Sequence, residues 1–369
     1  TPVTPTVHPT RPESPTMSRR TRSLLAPLLA AVVAAATLAA CSSDASTRAG
    51  AADDGPTTTA APVTVPTSIP AGTTLRIGDQ LDYLKTVLSI SGQDEDLPYE
   101  LSYATFVGGP PMLQAFQGGA LDAGFVASTP LIFAQAAGQD LVAVAGWASD
   151  RGLGGLLAND PDIEGWADLA GRRVAYQRGT SAEAALLSGL AAAGLSADEV
   201  TTVDVPITQI NAALESGSAD AGVTTEPLIS LYLAGHPEAH VAAVPDAITD
   251  RGNFLIASPD ALDDPARTAA LADYLQRLVR AFDWIEDHPD ALTKAIFVDQ
   301  YGLAPERAEE LVSSGNGTIR FFPLPGDVLD AQQRLADLFV EAGQIPRPID
   351  VATQFDSRFN EVVEEAQGS

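Results

Sequence analysis

The chain has 369 residues, and its 48 acidic against 21 basic side chains give a formal net charge of −27 at pH 7. A phosphate backbone needs Lys and Arg opposite it, so nucleic acid is not expected as a partner. Cys41 is the single cysteine, which leaves the rest of the chain without a disulfide, a thiolate metal site or a cysteine nucleophile.

The N-terminal segment predicts export. Residues 1–16 are rich in Pro and Thr and are interpreted as a disordered leader or as sequence upstream of a translation start at Met17. Basic residues, an apolar run from Leu24 to Ala36 and small residues then follow in the order of a secretory signal. An uncleaved membrane helix is the alternative, but the stretch is short and alanine-rich for a span of about 20 residues.

The end of this signal predicts a lipid anchor. Leu38-Ala39-Ala40-Cys41 resembles the lipobox of bacterial lipoproteins, in which the cysteine becomes the lipidated N-terminus. We therefore expect residues 1–41 to be leader and lipoprotein signal peptide. Lipid on Cys41 would then hold the protein at the extracytoplasmic face of the cell membrane.

Residues 42–72 predict a disordered tether, because Ser, Thr, Ala, Pro, Gly and Asp dominate and almost nothing can be buried. The folded part is expected to begin near Thr73. Roughly 290 residues then remain, enough for one large or two medium domains.

Short apolar strands alternate with helical patterns through the folded part, which predicts an α/β protein with mostly parallel sheets and flanking helices. Ligands of such sheets sit at the carboxyl ends of the strands. Strands are predicted at 74–78, 100–106, 141–145, 155–158, 173–177 and 254–257, and helices at 83–91, 182–193, 264–286, 291–300, 305–313 and 325–342.

This order of elements predicts a lobe that the chain leaves and enters again. Residues 73–158 are assigned to the first lobe, 159–253 to the second, and 254–369 to a return strand and C-terminal helices of the first. Two crossings between lobes favour hinge closure over a ligand.

One stretch of sequence occurs twice. Residues 121–132 read LDAGFVASTPLI and residues 219–229 read ADAGVTTEPLI, and each follows a helical pattern closed by a glycine. Proline suits the first position of a helix and a preceding Ser or Thr can cap it, so each copy predicts a helix N-terminus aimed beyond a strand end. Two ordinary strand-turn-helix connections are the alternative, but their joint occurrence favours a two-lobed protein with matched binding edges.

Side chains at the predicted strand ends are the candidates for a ligand site. Thr180 and Ser181 can cap their helix, offer donors to an anion, or do both. Glu226 repels a bare anion and so suggests a ligand with an ammonium or hydrogen-bond donor, or an ion pair between lobes. Trp147 and Tyr176 are interpreted as pocket walls or as core residues.

Three runs carry a resemblance to a known family: residues 108–138, which begin GGP and end FAQAAG, residues 166–175, WADLAGRRVA, and residues 344–351, QIPRPIDV. In this order, over roughly residues 74 to 362, they are similar to the solute-binding proteins of ABC importers for aliphatic sulfonates, taurine and nitrate. The loop at 79–82 and the stretch at 149–155 depart from the family pattern, which bears on the solute more than on the fold.

The resemblance implies a two-lobed type II periplasmic-binding-protein fold with a hinge. It also implies capture of a small organic anion or zwitterion and its delivery to a membrane permease and its ATPase. Ser128 and Thr129 match the family's binding position, as Thr225 and Glu226 do in the second lobe. The predicted ligand-binding residues are Gln80, Gly109, Ser128, Thr129, Trp147, Tyr176, Thr180, Ser181, Thr225 and Glu226.

Other functions on the same scaffold stay open at this point. A pyrimidine- or flavin-type nutrient or a sensor lipoprotein is an alternative, and enzymes resembling a desulfinase or a thiamine-pyrimidine synthase are a further one. The first enzyme would need a cysteine in the fold, and His236 and His240 flank Pro237, which favours a loop over a metal site. No nucleophile elbow or phosphate loop occurs. We expect a monomeric binding protein without cofactor or metal.

Overall fold

The structure is a computed structural model that describes residues 64–149, 154–226, 228–244, 252–313 and 319–368. The predicted signal peptide, Cys41, and residues 42–63 of the tether lie outside these residues. Within the described ranges, no helix is both long and apolar enough to cross a membrane.

Strands and helices alternate along the first two thirds of the chain, and helices dominate the remainder. The strands are β1 (Thr74–Gln80), β2 (Glu100–Phe106), β3 (Ala123–Ala127), β4 (Val142–Ser149), β5 (Gly154–Ala158), β6 (Arg173–Tyr176), β7 (Thr201–Asp204), β8 (Ala221–Thr225), β9 (His240–Ala243), β10 (Gly252–Ala257) and β11 (Ile319–Phe322).

The helices are α1 (Tyr83–Ile90), α2 (Gly109–Gln117), α3 (Ser128–Ala136), α4 (Ser181–Ala192), α5 (Ile210–Glu215), α6 (Leu228–Gly235), α7 (Pro259–Asp263), α8 (Pro265–Asp287), α9 (Pro289–Leu292), α10 (Pro305–Ser313), α11 (Val328–Glu341) and α12 (Asn360–Gln367). The helix predicted at 291–300 is in the structure the end of α9 followed by a π-helix, Thr293–Gln300.

The strands form two sheets, which confirms the two-lobed α/β prediction. The first has the order β11-β4-β10-β3-β1-β2 and the second the order β7-β6-β8-β5-β9. Both sheets are mixed rather than mostly parallel. The strands at the crossings cause the difference, because β10 runs antiparallel to β3 and β4, and β5 runs antiparallel to β8 and β9.

Strand β5 lies in the second sheet, whereas the sequence analysis places it in the first lobe. Its residues Gly154 to Ala158 pair with β8 on one side and β9 on the other. A short buried strand satisfies the same apolar pattern in either sheet, so only its tertiary pairing decides the lobe. The return strand predicted at 254–257 does pair in the first sheet, as β10.

The duplicated stretch corresponds to a duplicated clamp at the amino ends of the strands. In the first lobe, Arg76 N donates to Asp122 Oδ2 (2.8 Å), and Arg76 Nη2 lies 2.6 Å from Asp122 Oδ1. In the second lobe, Arg173 N donates to Asp220 Oδ2 (2.7 Å), and Arg173 Nη2 lies 2.6 Å from Asp220 Oδ1. The aspartate of each copy therefore ties its strand to the parallel neighbour in the sheet, β3 to β1 and β8 to β6.

The helix in the first copy begins earlier than the sequence analysis expects. Helix α3 starts at Ser128, and its N-cap position is Ala127, whose side chain has no acceptor. Ser128 and Thr129 are therefore helical residues rather than caps, and Pro130 lies in the third position. Proline is still tolerated there, because the first-turn N–H groups have no intrahelical acceptor.

A cluster of buried apolar side chains joins the two lobes. Ala184 and Leu187 of α4, in the second lobe, share a buried cluster with Ile132 of α3 and with Leu335 and Phe339 of α11. Helix α11 thus contacts the two helices that begin at the strand ends of opposite lobes.

Candidate functional site

The candidate site lies where the carboxyl ends of the two sheets face one another. A Cβ atom on Gly108, which precedes α2, would lie 3.3 Å from the side-chain amide of Gln177, beyond the end of β6. A Cβ atom on Gly179 would lie 3.3 Å from Pro110 Cγ. Contacts between residues 108–110 and 177–179 therefore bring the N-termini of α2 and α4 together across the lobes.

The N-termini of α2 and α3 also meet, through Gly109. A Cβ atom at this position would lie 2.4 Å from Pro130 Cγ, which no real side chain tolerates. The predicted site residue Gly109 is therefore buried against α3, and its missing side chain permits the close approach. Neither α2 nor α3 carries an acidic residue in its first turn.

Ser128 and Thr129 form the first turn of α3 and are buried, at 5% and 0% exposure. Ser128 Oγ donates to the carbonyl of Gly252, at a distance of 3.4 Å. Gln332 of α11 donates from Nε2 to the Ser128 carbonyl at 3.2 Å. This end of α3 is therefore held by the return strand β10 and by helix α11.

Thr180 is the N-cap of α4, as predicted. Its Oγ1 accepts from Ala182 N (3.2 Å) and donates to Gln177 O (2.7 Å). Ser181, the first helical residue, is half-buried. Glu183 Oε2 accepts from Gly179 N (2.7 Å), and burial raises the pKa of this carboxyl. The loop before α4 is thus fixed by bonds from within its own lobe.

Thr225 and Glu226 stand at the end of β8 and are half-buried. Glu226 Oε2 accepts from Ser230 N at 3.1 Å, so this carboxylate caps the first turn of α6. Thr224 beside them is fully buried, and its Oγ1 has no hydrogen-bond partner among the described residues.

The loop after β1 is held in an unusual conformation. Leu81 and Asp82 have φ angles of 55° and 57°, in the left-handed region. Gln80 Nε2 donates to Phe125 O (2.9 Å), so one end of this predicted site residue is engaged with β3. Asp79 accepts from the backbone N–H groups of Gln80, Leu84 and Lys85, and burial raises the pKa of its carboxyl to about 6.

Trp147 and Tyr176 lie in the cores of their lobes. Trp147 is 2% exposed and packs against the rings of Phe125, Phe282 and Phe321. Tyr176 is 7% exposed in the core of the second lobe, and burial raises the pKa of its phenol. Both positions match the core interpretation of these aromatics.

The structure brings the starts of α2, α3 and α4 together, with Gly109, Ser128, Thr129, Thr180 and Ser181 in or beside their first turns. Helix N-termini carry partial positive charge, so this convergence suits an anion. Pro110 and Pro111 have no N–H group, so α2 contributes mainly its dipole, and the N–H donors belong to the first turns of α3 and α4. Gln177 and Gln332 also lie beside these helix starts, although neither is among the site residues predicted from the sequence. Gln177 follows the same Arg-x-x-x-Gln pattern as Gln80, which is a usable signal, whereas nothing local marks Gln332.

Comparison with known proteins identifies the family of the chain. The NMT1/THI5 like family model matches residues 109–292. An Escherichia coli (strain K12) protein named as an aliphatic sulfonates-binding protein is 32% identical over 293 residues, covering 75% of this chain and 86% of that protein.

Two solved structures are similar over most of the chain. The alkanesulfonate-binding protein SsuA from Xanthomonas axonopodis pv. citri bound to MOPS has a TM-score of 0.70 and 28% identity, covering 78% of this chain and 99% of its own. The periplasmic aliphatic sulphonate binding protein SsuA from Escherichia coli has a TM-score of 0.66 and 28% identity, covering 77% and 92%. The chain belongs to this NMT1/THI5-like family, and the relatives that it resembles include aliphatic sulfonates-binding proteins.

Proposed function

We propose that this protein is the extracytoplasmic solute-binding component of an ABC importer and captures a sulfonate or a related small organic acid in the cleft. The observation that carries the proposal is the convergence of the α2, α3 and α4 N-termini across the two lobes. In a chain with a net charge of −27, an anion site must be built from local dipoles, and three helix starts supply them.

The role we propose is capture without chemistry. The family contains binding proteins, and the candidate site consists of helix starts and hydroxyl side chains held by backbone bonds. Binding would draw the lobes together around the solute, and the closed protein would then deliver it to the permease.

Isothermal titration of the purified chain with MOPS and with propanesulfonate tests this function. We expect saturable binding of at least one sulfonate and a more compact particle in solution scattering. Native mass spectrometry of protein purified without denaturation would reveal a solute carried over from the cell. Turnover of a bound compound by the purified protein would contradict the proposal.

We further propose that Cys41 anchors the protein as a lipoprotein monomer. Acyl chains contribute about 0.8 kcal/mol per buried methylene, so two or more hold a protein firmly on a membrane. Cys41→Ala is expected to leave unprocessed precursor or to release the protein. Unchanged mass and membrane retention would contradict the anchor.

A further inference from the structure

Gln332 is a buried amide beside the ligand-facing start of α3. Its side chain belongs to α11 and is 1% exposed. Nε2 donates both to Ser128 O (3.2 Å) and to Gln354 Oε1 (2.9 Å). Gln354, also 1% exposed, donates in turn to Gln135 Oε1 (2.7 Å), near the other end of α3. A chain of glutamines thus holds α3 at both ends.

The amide of Gln332 is satisfied at its nitrogen and not at its oxygen. Its Oε1 is buried, and the described part of the chain provides no donor for it. An unpaired buried acceptor opposes folding, but an apolar side chain of the same size would transfer that cost to Gln354 Oε1, which would lose its donor. The two bonds that Nε2 makes are therefore the feature that distinguishes glutamine from an apolar residue here.

The bond to Ser128 bears on how α3 meets a ligand. A hydrogen bond accepted by a carbonyl polarises its peptide group and strengthens the N–H of the same unit, which here belongs to Thr129 in the first turn of α3. One turn along α11, Leu335 and Ala336 pack in the cluster that includes Ala184 of α4. The same helix therefore sets the place of both ligand-facing helices.

We propose that Gln332 is a positioning residue for the binding site, acting through the Ser128 carbonyl to fix and polarise the start of α3. This role rests on the proposed function, because it presumes that an anion is bound there. It requires no contact between Gln332 and the solute.

Three methionine variants separate positioning from packing. Gln332→Met removes the bonds to Ser128 and to Gln354. Gln354→Met breaks the same Gln332–Gln354 bond and the bond to Gln135 near the far end of α3, but it keeps the bond to Ser128 at the start of α3. Gln333→Met changes the neighbouring glutamine, whose Nε2 donates to Asp337 Oδ1 (2.9 Å) and Ile349 O (3.1 Å), away from α3.

Titration with propanesulfonate and MOPS is expected to show roughly tenfold weaker binding for Gln332→Met, as for a lost hydrogen bond in a site. The other two variants should bind like the wild type, even though we expect Gln354→Met to be destabilised in urea unfolding. Wild-type affinity in Gln332→Met, or an equal loss in Gln354→Met, would overturn the positioning role.

Amide hydrogen exchange keeps the test independent of the choice of ligand. The amides of Leu131 and Ile132 should exchange faster in ligand-free Gln332→Met than in Gln354→Met. If the wild type bound neither sulfonate, the proposed function would fall. Equal exchange in the two variants would then overturn the positioning role as well.

Discussion

The two copies of the repeated unit agree at the amino ends of their strands and differ at the carboxyl ends. At the amino ends, Arg76–Asp122 and Arg173–Asp220 make the same clamp with nearly the same distances. At the carboxyl ends, the first copy places hydroxyl side chains in the start of α3, whereas the second places the Glu226 carboxylate before α6. The repeated end preserves the fold, and we expect the divergent end to determine what the cleft binds.

The clamps themselves differ in burial, which gives the largest expected effect. Asp122 has a side chain that is 1% exposed and also pairs with Arg267 (3.2 Å), whereas the Asp220 side chain is 25% exposed. Asp122→Ala is expected to lower the unfolding free energy by about 3 kcal/mol, because several charge-assisted hydrogen bonds are lost at a buried site. Asp220→Ala should cost clearly less, because water replaces part of its pairing.

Urea unfolding of the two alanine variants, compared with the wild type, measures this difference. Equal losses, or a larger loss for Asp220→Ala, would show that burial does not distinguish the clamps.

The contact between α2 and α3 gives the next effect. Gly109→Ala places a Cβ atom 2.4 Å from Pro130 Cγ, so the two helix starts must separate. Overpacking of this kind costs about 2 kcal/mol, and sulfonate affinity should fall with it. Gly118→Ala is the matched control, because its Cβ atom would meet nothing closer than 3.5 Å. Thermal unfolding and titration that show the same loss for both variants would refute the role of this contact.

Glu226 tests the divergent end directly. Glu226→Gln keeps an acceptor for Ser230 N but removes the charge, so stability should change little. A charge-assisted bond to an ammonium group contributes about 1.5 kcal/mol, so binding of taurine is expected to weaken about tenfold. Binding of propanesulfonate, which has no ammonium, should be unchanged or tighter. Equal changes for both ligands in calorimetry would confine Glu226 to capping α6.

The pH dependence of stability should also separate the copies, because Asp79 of β1 occupies the position of Tyr176 of β6. Burial raises the pKa of Asp79 to about 6, so the native state takes up a proton between pH 7 and 5 that the unfolded chain does not. Relative to Asp79→Asn, the wild type should gain about 1.3 kcal/mol of unfolding free energy as the pH falls over that interval.

Asp220 of the second copy contributes to the pH dependence of stability with the opposite sign. The hydrogen bond from Arg173 lowers the pKa of Asp220, so its contribution to stability is present at neutral pH and is lost as the pH falls below about 4. The difference between the wild type and Asp79→Asn in urea unfolding at pH 7 and 5 therefore reports on Asp79, because Asp220 and also Glu183, the carboxyl whose pKa is raised by burial, are present in both proteins. Parallel pH profiles for the wild type and Asp79→Asn would contradict the assignment.

Local sequence patterns predict the α/β class and the two lobes, but β7, β9 and β11 are not among the predicted strands. The boundaries of β2 and the cap at Thr180 follow from alternation and capping chemistry, and the repeated stretch indicated two lobes. Strand β5 was misplaced because an apolar run does not specify its sheet. Gln332 was not found because its bond to Ser128 joins residues 204 positions apart, and no nearby signal marks such a pair.

We propose that the converging starts of helices α2, α3 and α4 capture an anion. Calorimetry with propanesulfonate and with methyl propyl sulfone tests it most directly, because the sulfone has a similar shape but replaces the charged third oxygen by a methyl group. We expect saturable binding of propanesulfonate and no detectable binding of the sulfone at the same concentrations. Equal binding of both, or binding of the sulfone alone, would contradict it.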